Sequence, residues 1–184
     1  MTNDKQARIS TTYVLVTIIA VSFTWLIHEL GHWCTGELLC NEMVMTLNSS
    51  YPLKGEYGAS WHATIISAVG PIITILQAII FYLLMRRNES NLLFPFLLTA
   101  LYMRTLAGIM NLVNLNDEGR ISRDFGIGPF TIPLLVFGIL AYLVYTTSTT
   151  KKYKGKFIAS SILLIMLFSS VLILLDQAMR IIIL

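Results

Sequence analysis

The sequence predicts an all-α membrane protein of about five transmembrane helices, with a small β-hairpin after the first. Three observations carry that expectation. Only 12% of the 184 residues are charged, against about 25% in a soluble domain. Mean hydropathy is +0.72. Uncharged apolar runs close to the roughly 20 residues needed to span a bilayer recur along the chain, without the alternation a barrel strand would have.

The runs fall at about Thr11 to Trp33, Ile65 to Met85, Leu92 to Val113, Phe130 to Tyr145 and Phe157 to Leu175. The first follows Lys5 and Arg8 as a signal peptide would. It nevertheless continues through His28, Glu29 and His32 with no small-residue cleavage site before them, so it reads as a retained span. Pro129, Pro133 and Gly138 interrupt the fourth run. Between the first two spans, Met43 to Leu47 has β-type content, Asn48 to Pro52 reads as a turn, and Lys54 to Gly58 is the expected return strand. No repeat or linker divides the chain. It reads as one integral, multi-pass membrane domain over residues 1–184, with spans beyond about residue 129 added to a core of about 11–123.

A net charge of +3 spread over short loops excludes a nucleic-acid partner. With five spans, Lys5, Arg8, Arg86, Arg87, Lys151, Lys152, Lys154 and Lys156 share one side of the bilayer. Lys54, Arg120, Arg123 and Arg180 lie on the other. That bias places the N-terminus in the cytoplasm. Lys151 to Lys156 is then a cluster that anionic headgroups attract.

The chemistry begins with His28-Glu29-Leu30-Gly31-His32, an HExxH motif. Positions i and i+4 share a helix face, so both imidazoles can meet one metal ion. Glu29 is displaced about 100° around the axis. From there it can act as general base on a zinc-bound water without ligating the metal. A glutamate and two histidines inside a span are costly without partners and a task. A catalytic zinc site has a third protein ligand. Span three runs in the direction of span one, so its end reaches the same leaflet. Asp117 is the expected third ligand there, with Glu118 the alternative. Of the two, Glu118 is the better fit to a solvated loop carboxylate.

These residues resemble the site-2 protease family of intramembrane zinc metalloproteases. The likeness rests on HExxH in the first span, Ala68-Val69-Gly70-Pro71 in the next, and the Asp-Gly-type segment Leu115-Asn116-Asp117-Glu118-Gly119 after the third. That last segment departs from the family pattern: it lacks the upstream proline and inserts a residue before the glycine. The resemblance covers about residues 20–123. It implies a Zn²⁺ cofactor, hydrolysis of peptide bonds in transmembrane or membrane-associated protein substrates, and a centre toward the cytosol. The charge distribution instead puts the centre near the outer face. The resemblance also implies that the hairpin edge at Met43 to Leu47 accepts an unwound substrate by β-addition. A zinc-binding adaptor or chaperone of the same fold, without catalysis, is the alternative.

Other residues complete the reading. Asn111 and Asn114 are candidate donors to an oxyanion or to substrate backbone, with helix–helix hydrogen bonding as the alternative role. Arg104 lies mid-span, about 20 Å from Asp117 along a straight helix, and is expected not to pair with the site. His62 beside Trp61 reads as interfacial, and Cys34 and Cys40 as free thiols rather than a disulfide. Gly70-Pro71 is expected in an early turn of span two, where it lets two helices approach closely.

Overall fold

The computed structural model describes residues 7–184. Its helices are α1 (Thr11–Leu38), α2 (Ser60–Arg87), α3 (Phe94–Met110), α4 (Asp117–Asp124), α5 (Thr131–Thr150) and α6 (Gly155–Met179). Strands β1 (Met43–Met45) and β2 (Ser50–Pro52) pair antiparallel between α1 and α2, with Val44 opposite Tyr51. Helices α1, α2, α5 and α6, and α3 together with the helical turn that starts at Asn91, are long and apolar enough to cross a membrane. Their outward faces are apolar as well: Leu15 and Ile19 on α1, Ile72, Leu76 and Ile80 on α2, and Leu163 and Leu167 on α6 are exposed. An apolar exterior around a packed interior is what lipid, rather than water, selects.

The interior is held by polar pairs as much as by apolar contact. Ser10 caps α1 by accepting from the Tyr13 N–H at 3.1 Å. Buried Ser161, Ile165, Ser169, Leu172 and Asp176 form one stripe on α6 at helical spacing. That stripe meets α1, where the Tyr13 hydroxyl lies 2.7 Å from Ser161 Oγ and Trp25 Nε1 donates to Ser169 Oγ at 3.4 Å. Gln77 of α2 ties α1 to α3, donating to Thr24 Oγ1 at 2.7 Å and to the Phe96 carbonyl at 3.2 Å. Phe81 stacks on Phe96 with ring centroids 4.3 Å apart.

Several expectations are corrected. The return strand is Ser50–Pro52 rather than Lys54 to Gly58, because the chain reverses directly after Leu47 through Asn48 and Ser49. Ser50 Oγ then donates to the Glu29 carbonyl at 2.9 Å, anchoring the hairpin to α1. Pro71 lies in the interior of α2, not in an early turn, since the helix starts at Ser60. Pro133 sits in the first turn of α5, where its missing N–H has no intrahelical acceptor to lose, so the fourth span is uninterrupted.

The outer edge of β1 is filled by the chain itself. Met45 N–H donates to the Leu184 carbonyl at 2.9 Å, and Ile183 N–H donates to the Met45 carbonyl at 2.8 Å. Arg180, in the left-handed region at φ 44°, turns the chain out of α6 toward that edge. Asp176 secures the junction by accepting from Thr46 Oγ1 at 2.9 Å and from Leu47 N–H at 3.0 Å.

Candidate metal centre

His28 and His32 face α2 from the C-terminal half of α1, and both are buried. Six residues separate His32 from the C-terminal end of the helix, about 9 Å at 1.5 Å per residue. α3 stops at Met110, residues 111–116 reverse the chain, and α4 returns Asp117 to the imidazoles. His28 Nε2 lies 3.2 Å from Asp117 Oδ2, His32 Nε2 lies 3.3 Å from the same oxygen, and the two Nε2 atoms are 3.1 Å apart. Three potential metal ligands thus converge within one small triangle.

Their partners decide which ring nitrogen carries hydrogen. His32 Nδ1 lies 2.6 Å from the Ile66 carbonyl oxygen, which can only accept. His28 Nδ1 lies 3.1 Å from Thr74 Oγ1, whose own hydrogen goes to the Gly70 carbonyl at 3.0 Å. Both Nδ1 atoms therefore donate, and both Nε2 lone pairs face Asp117 Oδ2. Two lone pairs and a carboxylate oxygen at this separation repel one another unless a proton or a cation lies among them, and a metal ion is one way to supply it. The edges of a tetrahedron with zinc–ligand bonds of about 2.0–2.1 Å are about 3.3 Å long. The observed triangle has nearly that size, and the outward hydrogen bonds of each imidazole are those that orient metal-bound histidines.

Asp117 is oriented through its other oxygen. Arg120 Nη2 donates to Oδ1 at 2.7 Å, and Arg120 Nε donates to Ser67 Oγ on α2 at 3.2 Å. α4 is fixed further where Thr64 Oγ1 donates to Asp124 Oδ2 at 2.8 Å.

Gly70 makes the approach of α2 possible. A Cβ there would lie 2.5 Å from His28 Cε1 and 2.6 Å from His32 Cε1, and nearer still to His32 Nε2. Only a residue without a side chain lets this backbone close over both rings. Gly119 serves α4 in the same way, since a Cβ there would meet the Asn111 side chain at 2.6–2.8 Å.

Two expectations about this region are overturned. Arg104 pairs with the site: its Nη1 lies 3.0 Å from Glu118 Oε1 and 3.7 Å from Asp117 Oδ2, and its Nη2 lies 3.4 Å from His28 Nε2. The 20 Å separation holds only for a straight helix, and the reversal after Met110 removes it. Glu118 is not solvated but 2% exposed, with its carboxylate taken by Arg104. The triad is completed by Asp117.

Glu29 is buried, one residue round the helix from His28. Asn111 is buried too; its Oδ1 accepts from Asn116 N–H at 2.6 Å and its Nδ2 has no partner among the described residues. Asn114 is exposed. His62 is engaged with Asn41 at 3.2 Å and with the Trp61 ring, outside the triad. Cys34 and Cys40 are exposed free thiols.

No family model, no curated protein and no solved structure matches the chain. The functional reading therefore stands on the chemistry of the site. Glu29, Asp117 and Glu118 supply three carboxylates there against the guanidinium groups of Arg104 and Arg120, an excess of negative charge that a divalent cation would offset.

Proposed function

We propose that this chain is an intramembrane zinc metalloprotease of the site-2 protease type. The observation that carries the reading is the convergence of His28 Nε2, His32 Nε2 and Asp117 Oδ2 at mutual separations of 3.1–3.3 Å, with both imidazole tautomers aimed inward. A third of the way round the helix, buried Glu29 supplies the acid–base group that peptide hydrolysis needs.

A bound Zn²⁺ would supply Lewis acidity, polarising the scissile carbonyl and making an attacking water more acidic. His28, His32 and Asp117 would hold it. Thr74 and the Ile66 carbonyl fix the two rings, and Arg120 fixes the carboxylate. Glu29 takes the proton from the attacking water and delivers it to the departing amine. Arg104 places positive charge beside the triad, where it can stabilise the tetrahedral oxyanion. The substrates would be transmembrane or membrane-associated proteins, since the triad lies within a bundle of helices able to span the bilayer.

Replacing Glu29 with Gln tests the reaction. Cleavage of a transmembrane reporter should fall at least about a hundredfold, while one zinc per chain is retained. Unchanged turnover would remove Glu29 from the chemistry. The second reading, a zinc-holding adaptor or chaperone for a client helix, draws on Ile183 and Leu184, which fill the β1 edge a substrate strand would use. Stoichiometric zinc with no hydrolysis of any helical client would favour it.

A further inference from the structure

We propose a second ligand site at the opposite end of the bundle, a basic cavity that binds a phosphate group borne by an acidic phospholipid or free in solution. The cavity has a volume of about 1230 Å³ and opens among Ala7, the last turn of α2, the last turn of α5 and the loop into α6. Its wall carries Arg86, Lys151, Lys152 and Lys154 against one carboxylate, Glu89. Lys151 is engaged, with Nζ 3.0 Å from Glu89 Oε1 and donating to the Asn88 carbonyl at 2.9 Å. Among the described residues, Arg86, Lys152 and Lys154 have no acidic partner.

Two further observations point to a bound acceptor rather than a merely solvated cluster. Tyr153 is a residue of this wall, and its hydroxyl is buried with no hydrogen-bond partner among the described residues. Burial pushes its hydroxyl up to about 12, with the Glu89 charge adding to the effect, so it stays a donor. A buried hydroxyl without a partner is costly unless a ligand supplies one. Lys154 also immediately precedes α6, whose N-terminus has no side-chain cap. A Cβ on Gly155 would meet nothing within 4 Å among the described residues, so that terminus is open to approach. Uncapped N–H groups at the start of a 25-residue helix, beside three cations with no acidic partner among the described residues, suit an anion with several acceptor oxygens. A phosphate diester or monoester has that geometry; a single carboxylate would leave donors unused.

Depth also fits a headgroup. Arg86 ends the α2 span, and Leu83 and Leu84 just before it present exposed apolar side chains against which acyl chains can lie. The site is separate from the metal centre and does not depend on catalysis.

The test uses the full-length protein in neutral detergent, with bound lipid read by native mass spectrometry. The probes are phosphatidylglycerol, phosphatidylcholine and inorganic phosphate. One phosphatidylglycerol should bind in preference to phosphatidylcholine. The combined Arg86→Gln, Lys152→Gln and Lys154→Gln variant should weaken it at least tenfold, and Arg87→Gln with Lys156→Gln, outside the cavity wall, should not. Tyr153→Phe, which keeps the ring packing, should weaken it severalfold and serves if the triple variant does not fold. Displacement of the lipid by millimolar inorganic phosphate would make phosphate itself the ligand; resistance to it would assign the lipid headgroup. Equal binding of the two lipids, or equal loss in the cavity and control variants, would overturn the proposal.

Discussion

Adding one methyl group at Gly70 probes the centre without touching a proposed ligand. In Gly70→Ala the new Cβ would lie 2.5 Å from His28 Cε1 and 2.6 Å from His32 Cε1. Carbon atoms in contact prefer about 3.5 Å or more, so the rings or the α2 backbone must retreat by about 1 Å. Metal sites hold their ligand distances to within about 0.2 Å, so a displacement of that size breaks the triangle. Changes that merely loosen the orientation of a ligand cost about 10- to 100-fold in metal affinity. Gly70→Ala should exceed that range, which means at least about 2.7 kcal/mol. The assay is zinc retention against a graded series of chelators, with purified protein in detergent. Gly138→Ala is the control, because a Cβ there meets nothing within 4 Å on α5. It should bind zinc normally and gain up to about 1 kcal/mol of helix propensity. If Gly70→Ala holds zinc as tightly as the parent chain, the imidazoles do not lie against α2 as described.

Other perturbations read different contacts. Arg104→Leu leaves Glu118 buried with no counter-ion, which should cost about 3–5 kcal/mol in unfolding measurements. Adding Glu118→Leu should recover most of that loss, and an Arg104 variant of parental stability would show that the pair does not hold α4. Deleting residues 181–184 frees the N–H and carbonyl of Met45, removing hydrogen bonds worth about 1 kcal/mol each. Edge availability should rise up to roughly thirtyfold, and reporter cleavage with it if substrate pairs there. Unchanged or slower cleavage would count against the β1 edge as the docking strand.

The features legible in the sequence are those with a local signature. Hydropathy marks all five long helices, and the i, i+4 spacing of His28 and His32 is enough to place both rings on one helix face. Asp117 is accessible because parallel spans bring their ends to one leaflet. Its neighbour at i+3, Arg120, carries a readable signal as well, since that spacing on a short helix brings guanidinium and carboxylate together. What cannot be read depends on where the chain bends. The reversal over residues 111–116 folds Arg104 back onto Asp117 and Glu118, and an extrapolated straight helix hides it. The position of Pro71 follows from where α2 begins, five residues earlier than its apolar run suggests. The pairing of Met45 with Ile183 and Leu184 joins segments that are remote in sequence, and nothing local announces it.

X-ray absorption at the zinc edge of the purified protein, together with metal analysis of the same sample, examines the triad most directly. The account predicts one zinc per chain and a scattering shell of nitrogen and oxygen only, at about 2.0–2.2 Å. Outer-shell features of two imidazoles should be present, and the signal should be lost when His28 and His32 are both replaced by Ala. A sulfur shell at about 2.3 Å, or substoichiometric metal that survives the double replacement, would contradict it.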